Sequence, residues 1–95
     1  MGKVYLFVEI SVKAGKLDSF NSALKKHAAH IRTEDGCETL ELFIDTKIKN
    51  QVCVWEVWRD RASWDAHMAN DASAAWQGVA KEFVNGEKIT VMDAI

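Results

Sequence analysis

The segment QVCVWEVW, residues 51–58, is apolar on both of its sides. Its alternation, rich in β-branched and aromatic residues, predicts a strand. Successive side chains of a strand point to opposite faces, so Val52, Val54, Glu56 and Trp58 share one face. Cys53, Trp55 and Val57 share the other. KVYLFVEISVK repeats the pattern: Val4, Leu6, Val8, Ile10 and Val12 face one way, Tyr5 and Phe7 the other. Apolar surface left in water is unfavourable, so a sheet built on these strands needs a cover on each side.

One cover is legible as helices. LDSFNSALKKHAAHIRTEDG carries a stripe at Leu17, Phe20, Leu24, His27 or Ala28, and Ile31, with Gly36 as its stop. CETLELFID is a second strand, alternating Leu40, Leu42 and Ile44 against Thr39, Glu41 and Phe43. The turn TKIKN pairs it with the third strand as a hairpin. RASWDAHMA follows as a short helix with Asp60 as N-cap. Asn70 or Asp71 caps ASAAWQGVAKEFV, whose stripe is Ala72, Trp76, Val79 and Phe83 and whose stop is Asn85-Gly86. EKITVMDAI closes the chain as a strand. The order β-α-β-β-α-β predicts an α+β, ferredoxin-like fold with a four-stranded antiparallel sheet, one domain over residues 1–95. Helices then cover one face only. The other is expected to meet the sheet of a second subunit, a homodimer with Trp55 in the interface.

Composition narrows the partners. A net charge of −2 and scattered lysines argue against nucleic acid. No apolar run is long enough to span a membrane, and no secretory segment opens the chain. Cys37 and Cys53 are too few for a disulfide framework and do not fall opposite one another about the hairpin turn. A cytoplasmic protein with reduced thiols is expected. His27 and His30, at i and i+3, lack the supporting ligands of a metal site, so no metal is expected.

The informative stretch is WEVWRDRASWDAH, residues 55–67. Glu56 interrupts an apolar strand face, and a buried carboxylate is costly unless paired, hydrogen-bonded or near water. An edge position or a lysine partner is the plain account; a polar cavity is the other. On the next helix Ser63, Trp64, His67 and Met68 share a face that must meet the sheet. An inward histidine is commonly a hydrogen-bonded core residue. Here Glu56, Trp58, Trp64, His67, Met68 and Trp76 are expected around one cavity, a titratable base within aromatic walls.

Together these residues resemble the antibiotic biosynthesis monooxygenase domain family, in the dimeric α+β barrel superfamily. The resemblance rests on FVEISVKAGKLDSF, on RTEDGC at residues 32–37, and above all on WEVWRDRASWDAH. It covers nearly the whole chain. It implies a ferredoxin-like subunit, sheet-to-sheet dimers and a cavity between helices and sheet. Quinol-monooxygenase members oxidise electron-rich aromatics with O2 and no metal or flavin. Other members degrade haem, and a relative isomerises a phosphorylated sugar. The haem-degrading pattern is not met: His67 stands in place of its tryptophan, Gln77 of its histidine, and Phe7 or Val8 of its asparagine. Ala66-His67 matches the quinol-monooxygenase and isomerase types. Asn70-Asp71-Ala72 replaces their following Thr-Pro-His, leaving a second cavity histidine unfilled.

The expected activity is a cofactor-independent monooxygenase acting on a small phenol, hydroquinone or polycyclic aromatic. His67 is the general base, a role that an imidazole side chain suits near neutral pH. Glu56 orients His67 or a water; Trp58, Trp64, Trp76 and Met68 hold the ring. Arg32 at the cavity mouth pairs with an anionic substrate, or is a solvated helix-end arginine. The alternatives are an O2-independent isomerase using the same base, and a non-catalytic dimeric binding module.

Overall fold

The computed structural model describes residues 2–95. The strands are β1 (Val4–Val12), β2 (Cys37–Ile44), β3 (Gln51–Trp58) and β4 (Val84–Met92). The helices are α1 (Leu17–Ile31), α2 (Arg61–Ala69) and α3 (Asp71–Ala80). They form one sheet of order β2-β3-β1-β4, antiparallel throughout. The two strands with apolar residues on both sides, β1 and β3, are the central pair. Burial explains this placement: only a central strand is screened by neighbours along its whole length, so the most apolar segments take the middle.

All three helices pack on one face of the sheet. Leu6, Val8, Ile10 and Val12 of β1 and Val52, Val54 and Trp58 of β3 meet Phe20, Leu24, Ala28 and Ile31 of α1. Trp64 and Trp76 pack on this core from α2 and α3. The opposite face has no helix among the described residues; there Tyr5 and Trp55 stack with ring centroids 6.2 Å apart. Among the described residues no helix is long and apolar enough to cross a membrane. Both cysteines are free thiols, and the register sets Cys37 beside Trp58 and Cys53 beside Phe43.

Three boundaries differ from the sequence reading. α1 ends at Ile31, and residues 32–36 turn back on themselves, with the Glu34 N–H donating to the Ile31 carbonyl and the Cys37 N–H to that of Glu34. Gly36 (φ +85°) closes this turn just before β2. α3 ends at Ala80, short of Asn85-Gly86, which lie instead within β4. Pairing with β1 overrides their turn preference. The register steps from Ser11↔Gly86 to Val12↔Val84, so Asn85 is the extra residue of a bulge. Several apolar stripe positions also extend past the helical cover: Ile44, Met68 and Val79 are exposed. Ile44 lies on edge strand β2, at the rim of the sheet.

Candidate functional site

The site starts from Glu56. Register places it between Leu6 and Leu40 on the helix-facing side of the sheet. It is 9% exposed, a carboxyl in an apolar row. Burial pushes its pKa up, while the Trp58 indole and the charge of His67 pull it back in part. Trp58 Nε1 donates to Glu56 Oε1 at 2.9 Å. Trp58 is fully buried, and its ring stacks on that of His67 with centroids 4.7 Å apart. Trp58 therefore stands behind Glu56 and His67, holding one by a hydrogen bond and the other by its face.

His67 reaches this position because α2 begins where Asp60 caps it, Oδ1 accepting the Ser63 N–H at 2.8 Å. Two turns later His67 points inward, 8% exposed. Its Nδ1 lies 2.8 Å from Glu34 Oε1. The direction of that bond follows from the neighbouring cap. Asn70 Oδ1 accepts the Ser73 N–H at 2.8 Å, and a backbone N–H can only donate. The amide orientation is thereby fixed, with Nδ2 donating to the same Glu34 Oε1 at 3.0 Å. Glu34 Oε1 thus accepts from Asn70 and, as a carboxylate, from Nδ1–H of His67, the tautomer that makes Nε2 the accepting nitrogen of the neutral ring. Ser73 Oγ donates to the His67 carbonyl, anchoring the end of α2 to the start of α3. Arg59 secures the other side of the turn, donating to both Asp35 oxygens at 3.1 and 3.0 Å and to Ser63 Oγ at 3.0 Å.

A cavity of about 100 Å³ lies between these residues, the sheet and α1. Val8, Ile10 and Val54 form its apolar floor, and Glu56 and His67 reach it from β3 and α2. Trp76 walls it from α3, and Met68, half-exposed, edges it from α2. His27 lines it from α1, its ring stacked on Trp76 at 4.5 Å between centroids and 8° between planes. Burial and the nearby His67 hold His27 below the ordinary histidine pKa.

Of the residues expected around a cavity, His67, Glu56, Trp76 and Met68 line it together. Trp58 does not; it is core behind them. Trp64 also stays outside, half-buried against the core with the Arg61 guanidinium 4.8 Å over its ring. Arg32 is not at the mouth. Its Nε and one terminal nitrogen donate to the Leu40 carbonyl at 3.0 and 2.8 Å, tying α1 to β2. Glu56 does not orient His67; Glu34 does. The sequence reading missed Glu34, although continuing the α1 stripe from Ile31 by three residues lands on it. It also left His27 at the stripe's margin, where a second imidazole was sought only after α2.

Comparison with known proteins agrees with this architecture. The family model described as antibiotic biosynthesis monooxygenase matches residues 3–79. No curated protein matches. Among solved structures, PA3566 from Pseudomonas aeruginosa is 20% identical, with a TM-score of 0.91 over 100% of this chain and 96% of that one. SO0527 from Shewanella oneidensis is 25% identical, with a TM-score of 0.88 over 96% of this chain and 89% of that one. A structure described as an antibiotic biosynthesis monooxygenase is 22% identical, with a TM-score of 0.88 over 97% and 98%. With a match spanning most of its length and this fold, the chain belongs to the antibiotic biosynthesis monooxygenase family.

Proposed function

We propose that the chain is a monooxygenase that needs no metal or flavin and oxidises a single-ring phenol or hydroquinone with O2. The observation that carries this reading is the Glu34–His67 pair at the wall of the cavity. Glu34 holds Nδ1–H, leaving Nε2 of His67 as the free base. Nε2 takes the substrate's phenolic proton, and the phenolate ring is electron-rich enough to reduce O2. The balance closes without another reductant: a hydroquinone and O2 give a hydroxyquinone and water, the ring supplying four electrons. Glu34 stabilises the imidazolium that forms. General-base catalysis of this kind is worth roughly 10²–10⁴-fold.

Size favours one ring over fused rings. The cavity, about 100 Å³, is near the scale at which an engineered cavity of about 150 Å³ in another protein takes benzene. Trp76 supplies a flat wall, and Val8, Ile10 and Val54 a floor that excludes bulk water. Oxygen uptake with a panel of phenols and hydroquinones tests the reading. His67→Ala is expected to lower kcat/KM by at least about 10²-fold. Uptake unchanged in that variant overturns the mechanism, and product formed equally under strict anaerobiosis replaces it with an isomerase.

A further inference from the structure

The catalytic reading uses one imidazole of the cavity and leaves a second unassigned. His27 projects from α1 into the same space as His67, which comes from α2. Its ring is held flat against Trp76, so its two nitrogens lie in a fixed plane. Among the described residues no side chain hydrogen-bonds to them, in contrast to Nδ1 of His67. Packing alone would be met at this place by phenylalanine or leucine. The half-buried imidazole keeps two polar nitrogens at the cavity wall, each able to bond a ligand in place of water. Burial keeps the ring neutral over a wider pH range, so one nitrogen donates and the other accepts.

Polar groups meet the cavity from His27 on α1, His67 on α2, Gln77 on α3, and Glu56 and Glu87 on the sheet, with the apolar floor of Val8, Ile10 and Val54 below. His67 is tied to Glu34 in the turn after α1, and His27 lines the same cavity from α1 itself. A ring held at one oxygen by His67 presents its far edge toward α1. We propose that His27 is a specificity-determining residue that hydrogen-bonds a second oxygen substituent and selects dihydroxy rings over monohydroxy ones. The inference deepens the catalytic reading and rests on it for the choice of ring ligands, but it concerns binding alone.

The test is calorimetric titration of the intact protein under nitrogen with 1,4-dihydroxybenzene and with 4-methylphenol, which matches its shape and lacks the second oxygen. One hydrogen bond that would otherwise go unmade is worth on the order of tenfold in affinity. Wild type is expected to prefer the dihydroxy compound by about that factor. His27→Phe keeps a ring on Trp76 and is expected to abolish the preference; His27→Gln keeps a donor and acceptor and is expected to retain part of it. Thermal unfolding of each variant confirms that it is folded. Equal binding of the two compounds by wild type, no binding of either, or a full preference persisting in the folded His27→Phe overturns the inference. Oxygen uptake is scored separately: selective binding without turnover retains the role of His27 and removes the catalytic reading.

Discussion

Glu34 sets the chemistry of His67 by holding its proton in place, and that assignment has a direct consequence. Glu34→Gln keeps the size of the side chain and loses the charge that favours the imidazolium. Its kcat/KM toward a phenol is expected to fall by about 10–10²-fold, with ligand affinity little changed, because the lost interaction strengthens only as the proton moves. A loss confined to KM would assign Glu34 to binding instead. Glu56 makes a prediction of the opposite kind, on stability. Burial raises its pKa above the ordinary 4.5, so the folded state holds the proton more tightly than the unfolded chain. Between 4.5 and the raised value the folded state binds more protons. Stability therefore falls as pH climbs through that window, and what Glu56 contributes is fully present only below it. Glu56→Gln keeps an acceptor for the Trp58 indole and removes the titration. Urea unfolding should show the variant more stable than wild type at pH 7, by about 1.4 kcal/mol for each unit of pKa displacement. His27 works against this on the acid side: held below 6.5 by burial, it reduces stability as pH falls from 6.5 toward its folded value. The slope is therefore read as variant against wild type. Much of this chemistry was legible in the chain. Glu56 and His67 stood out because each breaks an apolar pattern. Glu34 did not, because the helix was expected to run on to Gly36, so that an acidic residue in the turn passed for a solvated last turn.

Elements meet at one narrow place, the turn from α1 to β2. Gly36 has a positive φ, and a Cβ built there would overlap Cβ and Oγ of Ser63 on α2. Both constraints act on α2, the helix that carries His67, and on the turn that carries Glu34. Gly36→Ala is expected to cost about 2–4 kcal/mol, combining left-handed strain with overpacking. For a domain of this size the melting temperature then falls by at least about 8 °C. Adding Ser63→Gly relieves the overlap and leaves the backbone strain, so the double variant should recover part of the loss; no recovery would place the whole cost in the backbone. The elements themselves were readable because their signals are local: alternation for β1 and β3, the Asp60 and Asn70 caps for α2 and α3. The end of α3 was not. Asn85-Gly86 reads as a stop in isolation, but the ladder between β1 and β4 begins at Val84, and a bulge absorbs Asn85. Phe83 explains the early stop: its carbonyl accepts the Lys13 N–H at 2.7 Å and its ring lies 6.1 Å from that of Phe20. Contacts with residues some seventy positions away decide that boundary, and no local pattern contains them.

Among the described residues, helices cover the sheet on one side only. Tyr5, Phe7, Trp55 and Val57 lie together on the face without helices, cross-strand neighbours in the register Tyr5↔Val57 and Phe7↔Trp55. Edge strands extend the patch with Phe43 and Met92, 49% and 38% exposed. Four strands about 4.8 Å apart, each about nine residues long, give a face of roughly 30 by 19 Å. That is the order of the 800 Å² per partner that a standard stable interface takes. The aromatic and aliphatic strip at the centre of that face, flanked by Glu9, Glu41, Lys88 and Thr90 in the same register, favours burial against its own copy under a two-fold axis. The chain is expected to sediment as a dimer at micromolar concentration, and its melting temperature to rise with protein concentration. Trp55→Glu places a carboxylate in the middle of the strip, where pairing would leave it buried without a partner. It is expected to shift sedimentation to the monomer and to remove the concentration dependence. Because Trp55 and Glu56 point to opposite sides of β3, the substitution does not enter the cavity, and a monomeric Trp55→Glu that still binds 1,4-dihydroxybenzene separates assembly from ligand recognition. A wild-type protein that sediments as a monomer throughout the micromolar range overturns the sheet-to-sheet dimer.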